Sequence, residues 1–448
     1  MTDALKILYV VHNHPAVRPG GCEAYALELY EAMRDSSEFD AVFMSRSGPP
    51  VSVTALHHEG RPITLVNDDP NQYFFYTDLS DWDWTYGRSP RKSALTRFFR
   101  DFLLDQKPDV VHFQHTQFLG YDILRVVRNT LPHVPIVYTL HEFLPICYAD
   151  GKLLRTRNGE LCLEASPRRC HECFPQITQQ TFFMRERFIK SHLSLVDQFI
   201  APSRFLMERY VDWGISRDRI MFEDYGRVPV LRTPERREFG PARAARGRPR
   251  NRFSFFGQLT QYKGPDVLLE AMALLVDAGV EAHLEIHGAN LDWAPTAFQD
   301  KLRALLEEAG GSVTLVGQYE PEDLPKLMAE TDWVVVPSIW WENSPLVIQE
   351  AFLYGRPVIC SDIGGMAEKV TDGVNGLHFR RGDADSLAEA MRRAATTKGL
   401  WETLQAGVPP IHDMDRHVAT LGALYRSLIA DRRAAEAPGD TAEVVQLA

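Results

Sequence analysis

The feature that most constrains the fold is an alternation of short apolar runs with helical patterns, which occurs twice along the chain. The runs are bounded by turn residues, which is typical of buried parallel strands. The first series predicts strands at 6–13, 41–44, 63–66, 110–113, 136–140 and 199–201. The second series predicts strands at 253–256, 283–286, 313–316, 333–336, 358–360 and 376–379. This alternation favours an α/β protein with parallel sheets and helices on both faces.

Length and charge limit the class of protein further. A chain of 448 residues can bury a large core, and about two domains with a tail are expected. The formal net charge of −11 argues against a nucleic-acid partner. No apolar run approaches the ~20 residues of a membrane-spanning helix, and the run at 7–11 is too short for a signal-peptide core. We therefore expect a cytoplasmic protein with at most a peripheral contact at the inner face of the membrane.

A helix is predicted directly after the strand at 333–336. Pro345 suits the first helical position, and Asn343 or Ser344 is predicted to cap the helix. Gly355 provides a stop. The unit therefore reads as strand, loop and short helix.

Two glutamates belong to this unit. Glu342 lies in the loop before the helix, and Glu350 lies within the helix between apolar residues. A buried carboxylate needs a partner, and the free amides of a helix start favour an anion. The unit thus predicts a phosphate site with a carboxylate on each side. The structural alternative is that Glu350 pairs with a nearby arginine while Glu342 is exposed.

Candidate residues of the first half follow predicted strands. Gly20 and Gly21 precede a helix predicted at 22–33, where they either let the backbone approach a ligand or make a tight turn. A G-x-G-x-x-G motif does not occur there, so a dinucleotide site is unsupported. His141 follows the strand at 136–140, at the sheet edge where ligands bind, and a hydrogen-bonded structural role is its alternative.

Residues 71–99 are rich in aromatic side chains. Packing is the simpler interpretation of this composition, and recognition of a sugar acceptor is the alternative.

The segment 144–175 interrupts the alternation and contains Cys147, Cys162, Cys170 and Cys173. A C-x-x-C pair with two cysteines upstream, in a loop-rich insert, is typical of a structural zinc site. Reduced thiols are the main alternative, and an iron–sulfur cluster is another. A metal at this place would brace a wall of the site and need not take part in chemistry.

Arginines are concentrated at 231–252, among glycine and proline, which predicts an interdomain linker; contact with anionic lipid is the alternative. Lys263 then lies close to a helix start, where it can neutralise a diphosphate. Gly317 occupies a glycine turn after a strand. A second glycine turn, at 364–365, either borders the ligand or is only a turn.

Taken together, the Glu342 to Glu350 unit and the loop at 257–264 resemble the signature of the family-four retaining glycosyltransferases. The resemblance covers residues 6–433 and implies the GT-B fold. In that fold two Rossmann-like parallel-sheet domains, here 1–230 and 253–410, face a central cleft. A helix at 411–433 would cross back to the first domain, and 434–448 would form a tail.

The resemblance also implies an activity and the residues that support it. It implies a hexosyltransferase-like retaining enzyme of polysaccharide or glycoconjugate biosynthesis, which moves a sugar from a nucleotide-diphosphate sugar to a hydroxyl acceptor. That acceptor would be a glycan, a lipid-linked molecule or a small molecule. The implied catalytic residues are His141, Glu342 and Lys263. The implied donor-binding residues are Gly20, Gly21, Gln258, Lys263, Gly317, Asn343, Ser344, Pro345, Leu346 and Glu350.

Within this scheme Glu350 holds the ribose, and Lys263 and the amides over 343–346 hold the diphosphate. Glu342 and His141 contact the sugar, and a catalytic metal is not expected. The chain departs from the family at Gln258, where members usually have an arginine. The rival functions are a GT-B sugar-nucleotide epimerase or phosphorylase, and a non-catalytic protein that binds nucleotide sugars or glycans.

Overall fold

The computed structural model describes residues 4–18, 20–48, 62–77, 79, 81–89, 93–228 and 249–436. It contains two sheets, and the first comprises β1 (Leu5–Val11), β2 (Phe39–Ser47), β3 (Ile63–Val66), β4 (Asp69–Tyr76), β5 (Val110–Phe113), β6 (Ile136–Thr139), β7 (Gln198–Ala201) and β8 (Ile220–Phe222). The strand order is β3-β4-β2-β1-β5-β6-β7-β8. Its helices are α1 (Gly21–Arg34), α2 (Ser93–Gln106), α3 (Asp122–Thr130), α4 (Pro167–Cys173), α5 (Gln179–Leu193) and α6 (Arg204–Trp213).

The first sheet departs from the predicted all-parallel arrangement at one edge. β3 pairs antiparallel with β4, and β4 was not predicted as a strand. Asn67 and Asp68 make the turn between them, with φ of 49° and 60°. Asparagine and aspartate tolerate positive φ better than most residues, which makes this short hairpin possible.

The second sheet is parallel throughout and comprises β9 (Arg252–Gln258), β10 (His283–Ala289), β11 (Val313–Leu315), β12 (Trp333–Val336), β13 (Val358–Ser361) and β14 (Gly376–Phe379). The strand order is β11-β10-β9-β12-β13-β14. Its helices are α7 (Pro265–Asp277), α8 (Thr296–Ala309), α9 (Leu324–Glu330), α10 (Leu346–Leu353), α11 (Gly364–Lys369), α12 (Ala384–Thr396) and α13 (Leu400–Ala406). Hydrophobic clusters cover both faces of each sheet, as expected for doubly covered α/β domains.

The last helix, α14 (Met414–Glu436), returns to the first domain. Leu421 and Tyr425 are fully buried in the same hydrophobic cluster as Tyr9 and Tyr25. The Tyr425 hydroxyl also lies 2.7 Å from Nδ1 of His112 on β5. The predicted GT-B fold with a helix crossing back is therefore confirmed.

The structure describes only parts of the predicted linker and of the predicted tail. Of the predicted linker at 231–252, residues 231–248 lie outside the described residues. Arg252 already belongs to β9, and Arg250 pairs with Asp332 at 3.3 Å. The last of these residues therefore form part of the second domain. Most of the predicted tail, 437–448, also lies outside the described residues.

The two domains meet through side chains as well as through α14. Both oxygens of Glu368, on α11, accept hydrogen bonds of 2.8 Å from the backbone amides of Arg204 and Phe205. These amides open α6 in the first domain, so a second-domain carboxylate satisfies amides that a helix start leaves without partners. None of the helices in the described ranges combines the length and apolarity needed to traverse a bilayer.

Candidate active site

The first acidic group of the site is Glu342, in the loop between β12 and α10. The residue is 8% exposed. Its Oε1 accepts hydrogen bonds from Lys263 Nζ at 2.6 Å, Ser338 Oγ at 2.7 Å and Trp340 Nε1 at 2.9 Å. Burial by itself would raise the pKa of this carboxyl, but the Lys263 charge and the three hydrogen bonds outweigh it and lower the pKa. Glu342 is therefore an anion at neutral pH, and its predicted alternative as an exposed residue is wrong.

Lys263 is held opposite Glu342 by close contact between two loops. The backbone amide of Ile339 donates to the carbonyl oxygen of Tyr262 at 2.9 Å. Gly264 has φ of +68°, and a Cβ there would lie 2.1 Å from the carbonyl oxygen of Pro337. Only glycine combines this backbone conformation with so close an approach. The loop after β9 and the loop after β12 thus form one unit, with the Lys263 side chain 29% exposed at its surface.

The second acidic group, Glu350 on α10, has a cationic partner from the first domain. Its Oε1 lies 3.0 Å from NH2 of Arg227, and NH1 of the same arginine lies 3.2 Å from Oε2 of Glu28 on α1. Arg227 is 5% exposed. The structural alternative of a glutamate paired with an arginine therefore applies to Glu350. Arg227 is not among the predicted residues because the short strand β8 that precedes it leaves no clear apolar run.

The side chains of the loop before α10 do not cap the helix, contrary to the prediction. Pro345, not Asn343 or Ser344, is the N-cap of α10, and no side chain caps the helix. Asn343 Oδ1 accepts a hydrogen bond of 2.7 Å from Ser203 Oγ, and Ser344 Oγ donates one of 2.9 Å to Asp224, both in the first domain. These two side chains join the domains instead of capping the helix.

The backbone amides at the start of α10 are available to a ligand. Within the described part of the chain, the amides of Leu346 and Val347 donate to no backbone or side-chain acceptor. Gly21 faces this helix start from the first domain, because a Cβ at Gly21 would lie 3.5 Å from Leu346 Cδ1. Gly20 precedes α1 as its N-cap. Gly21 and the start of α10 therefore face each other with the Leu346 side chain between them, and the free amides of the helix start favour an anion.

Two further predicted residues lie at strand ends of the second sheet. Gln258 is the last residue of β9 and is exposed. Gly317 follows β11 with φ of +95°, with no other atoms close to where a Cβ would stand. The second glycine turn lies behind the Glu342 loop, since a Cβ on Gly365 would lie 1.5 Å from the carbonyl oxygen of Asn343. That turn therefore supports the loop at close range.

His141 lies in the first domain, after β6, with both ring nitrogens hydrogen-bonded. Nδ1 is 2.6 Å from the Tyr225 hydroxyl, and Nε2 is 2.9 Å from Gln114 Oε1. Because an amide oxygen only accepts, Nε2 carries the proton and Nδ1 accepts from the tyrosine. Burial, followed by the nearby His115, His12 and His112, lowers the pKa of His141 well below its usual range. The ring is therefore neutral at neutral pH.

Two histidine–glutamate pairs lie beside His141. His12 Nε2 is 3.1 Å from Glu23 Oε1, and His115 Nε2 is 3.2 Å from Glu142 Oε1. The two imidazole rings lie 4.4 Å apart. These residues follow β1 and β5, so the strand-end rule that singled out His141 also leads to them.

A cavity of about 890 Å³ opens next to the Lys263 loop. Its walls come from both domains and include Trp84, Tyr148, Arg155, Tyr262 and Phe298. Most of the aromatic residues at 71–99 pack, as the simpler interpretation predicted; Phe75, for example, is 2% exposed. Trp84, at 44% exposure, is the aromatic of that segment that reaches this cavity.

Two facing Rossmann-like domains, with a lysine–glutamate pair and free helix amides between them, define a glycosyltransferase of the GT-B class. Residues 19–222 match the family described as Glycosyltransferase Family 4, and residues 238–405 match Glycosyl transferases group 1. A D-inositol 3-phosphate glycosyltransferase from Nocardioides sp. is 31% identical over 415 residues, which cover 89% of this chain and 83% of the relative. The chain belongs to glycosyltransferase family 4.

The chain is also similar to another relative in sequence and to solved structures in fold. A D-inositol 3-phosphate glycosyltransferase from Corynebacterium aurimucosum is 25% identical over 398 residues, covering 86% of each chain. The fold is similar to that of sucrose-phosphate synthase from Thermosynechococcus elongatus, with a TM-score of 0.65, 21% identity and coverage of 95% and 100%. HepE from Anabaena, solved in complex with UDP and glucose, gives a TM-score of 0.62 at 18% identity, with coverage of 94% and 100%.

Proposed function

We propose that this glycosyltransferase moves a sugar from a nucleotide-diphosphate sugar to a hydroxyl acceptor with retention of the anomeric configuration. The observation that carries the proposal is the Lys263–Glu342 pair beside the free amides of α10. A diphosphate is the group that such a combination of ammonium and amides binds best. HepE, which has a similar fold, was solved with UDP and glucose, which supports a nucleotide-sugar donor.

The diphosphate would bind at the start of α10 and draw the Lys263 ammonium toward it. Lys263 is partly exposed and has a flexible stem, so its Nζ can turn from Glu342 to a phosphate oxygen. Glu342 keeps the hydrogen bonds from Ser338 and Trp340 when the lysine turns. The carboxylate would then remain satisfied on one side and face the sugar on the other.

The nucleoside and the sugar would lie on either side of the diphosphate. Arg227 contacts only Oε1 of Glu350, which leaves Oε2 for the ribose hydroxyls. Neutral His141 would face the sugar from the first domain, with its ring nitrogens held by Tyr225 and Gln114, and its lowered pKa prevents it from acting as a cation. The two domains would thus hold different parts of one donor.

The reaction needs no protein nucleophile. The bond between the sugar C1 and the leaving phosphate oxygen breaks, and a bond from C1 to the acceptor oxygen forms on the same face. The acceptor proton passes to the leaving phosphate oxygen. Stabilisation of the charge on that phosphate by Lys263 and the α10 amides would be the largest catalytic contribution.

Gln258 leaves the site without the arginine that family members usually have, and Arg18 is our candidate for the compensating cation. Its guanidinium lies 6.0 Å from the centre of the Trp293 ring, so it reaches from the first domain to the second. Trp293 follows β10, in which Ala289 pairs with Gln258. We expect Arg18→Ala to raise the KM for the donor several-fold without changing the melting temperature. An unchanged KM would exclude this role.

The experiment that tests the function is a thermal-shift screen of nucleotide sugars, followed by product analysis with candidate acceptors. A true donor raises the melting temperature because it binds the folded state. D-inositol 3-phosphate belongs among the acceptors, because the Nocardioides and Corynebacterium relatives carry that name. Retention predicts that the transferred sugar has the same anomeric configuration in the product as in the donor, which the one-bond coupling between C1 and H1 reports.

The same assay separates the rival functions. Conversion of the donor without an acceptor would indicate an epimerase, and reversible use of inorganic phosphate would indicate a phosphorylase. Donor binding with no turnover across the acceptor panel would favour a non-catalytic binding protein. An inverted anomeric centre would contradict the retaining mechanism.

A further inference from the structure

The four cysteines of the insert at 144–175 come from three separate pieces of backbone. Cys147 lies in the turn after β6, and Cys162 ends a short ribbon in which its amide donates to the Leu153 carbonyl at 2.7 Å. Cys170 and Cys173 lie on α4 at spacing i, i+3, which places them on one side of the helix. The insert therefore consists of a turn, a ribbon and a helix, each of which presents sulfur.

The three pieces bring these cysteines to the wall of one small cavity. All four cysteines line a space of about 20 Å³, the volume of a single water or ion. The other two cysteines of the chain lie elsewhere, with Cys22 on α1 and Cys360 on β13. All six are free thiols, so the insert is not held by a disulfide.

The surroundings of the cavity suit an anionic metal–thiolate group. Zn²⁺ with four thiolates has a net charge of −2, and Arg155 and Arg169 line the same cavity. The backbone amides of Ala149 and Leu153 lie near the Cys147 sulfur. Amides and guanidinium groups around sulfur provide the surrounding contacts that stabilise bound thiolates.

The helix of the insert has little core of its own, although Leu153 and Leu154 of the ribbon are buried. α4 has seven residues, and none of them is buried. A helix this short is unstable in isolation, and a segment with little core needs a disulfide or a metal to hold it. A single ion that joins the turn, the ribbon and the helix would supply that link.

We propose that Cys147, Cys162, Cys170 and Cys173 bind one structural Zn²⁺ ion in a tetrahedral site. Binding converts four thiols to thiolates, forms four Zn–S bonds and releases four protons to solvent. Among the described residues, three donor atoms lie within 4.8 Å of one another only at Glu223, His412 and His417, so the cysteine side chains must rotate inward to bind the ion.

The cluster of Glu223, His412 and His417 is the rival metal site, and hydrogen bonds account for it. Glu223 Oε1 lies 2.7 Å from His412 Nε2 and 2.8 Å from His417 Nδ1, as expected for two imidazoles that donate to one carboxylate. His417 Nε2 is also 2.7 Å from the Tyr25 hydroxyl. These nitrogens have partners already and do not need an ion.

The test is metal analysis of the full-length chain, purified without an affinity tag and under reducing conditions. We expect about one zinc per chain, Cys170→Ser to lose most of it, and the control Cys360→Ala to retain it. If Cys170→Ser does not fold, Co²⁺ loading of the unmutated chain decides, because four thiolates give intense sulfur-to-cobalt charge-transfer bands. Absence of both stoichiometric zinc and a cobalt–thiolate spectrum would overturn the proposal.

Thiol counting supplies an independent result. In the folded protein, four additional thiols should react with a thiol reagent after a strong chelator is added. Stoichiometric iron, or four cysteines that react only after reduction, would assign the insert to a cluster or to disulfides and overturn the zinc site. Because none of these measurements uses a sugar donor, their outcome is independent of the proposed transfer reaction.

Discussion

Glu342 and Glu350 belong to one loop–helix unit, yet the structure gives them partners of different kinds. Glu342 pairs with Lys263 inside the second domain at 2.6 Å, and Glu350 pairs with Arg227 across the domain boundary at 3.0 Å. Lys263 has this one carboxylate within ion-pair distance, whereas Arg227 lies between two, Glu350 and Glu28. The comparison shows that a motif compact in sequence can serve two separate structural purposes.

The two pairs should therefore respond differently to a ligand and to domain motion. Lys263 is partly exposed and can move to an incoming phosphate, whereas Arg227 is buried and fixed. Opening of the domains would break the Arg227–Glu350 contact and leave the Lys263–Glu342 contact intact. We regard the Lys263–Glu342 pair as part of the chemistry and the Arg227–Glu350 pair as part of the closed arrangement of the domains.

The largest effect should come from Lys263→Ala, which removes the movable cation. We expect kcat/KM to fall by about 10²–10³-fold, because a group that stabilises the leaving phosphate is lost. Steady-state kinetics with the donor found in the thermal-shift screen would measure the effect. The control is Lys190→Ala, whose ammonium pairs with Glu186 at 2.5 Å on α5, away from the cleft. An equal loss of kcat/KM in Lys263→Ala and Lys190→Ala would show that the Lys263–Glu342 pair has no special role in the chemistry.

A smaller effect is expected for Glu350→Gln, which removes the charge while keeping the shape. Loss of a hydrogen bond to a charged group corresponds to roughly a tenfold weaker Kd for the nucleotide. Titration calorimetry with the free nucleoside diphosphate would measure it. Glu208→Gln, which breaks an exposed pair with Arg217, is the matched control and should leave the Kd unchanged. If kcat fell instead of affinity, Glu350 would belong with Glu342 in the chemistry.

Arg227→Lys should affect the domain junction more than the chemistry. A lysine keeps the charge but cannot reach Glu28 and Glu350 with two separate nitrogens. We expect the free energy of unfolding to fall by about 1 kcal/mol, with kcat within a factor of about two. Denaturant unfolding would measure the change. A loss of kcat as large as that of Lys263→Ala would place Arg227 in the chemistry.

The smallest effect concerns pH. The folded-state pKa of Glu342 is lowered, so the folded protein binds the proton less readily than the unfolded chain. The stabilisation is therefore fully present above the usual carboxyl pKa of about 4.5 and is lost as the pH falls through the folded value. Unfolding measured between pH 6 and pH 3 should show a shallower acid loss for Glu342→Gln than for the unmutated protein. An unchanged slope would contradict this assignment.

Much of the fold could be predicted because buried strands leave clear apolar runs. The strands at 63–66, 110–113, 333–336 and 376–379 have the predicted bounds. β4 was missed because the aromatic residues of Asp69–Tyr76 favoured packing as their whole explanation, although the Asn67–Asp68 turn before it is a hairpin indicator. The aromatic residues of this segment fit either a packed loop or a strand. Pairing with β2, which lies far away in the sequence, decides in favour of the strand.

The site could be predicted in its residue types more readily than in its contacts. The sequence requires a partner for a buried Glu350, but it does not identify Arg227, which is 123 positions away. The Asn343 and Ser344 side chains had a local capping role available, and contacts with Ser203 and Asp224 replaced it. Short-range rules fail here because the loop lies at a domain boundary, where long-range partners compete for the same atoms.

The contact of Glu368 with the start of α6 bears on attempts to recombine such enzymes. The Glu368 carboxylate of the second domain accepts hydrogen bonds from the first amides of α6 in the first domain. A chimera with its two domains from different parents would leave these amides without an acceptor unless the second parent also has an acidic residue there. Exchange of the whole second domain should therefore succeed more often when the incoming domain has an acidic residue at position 368.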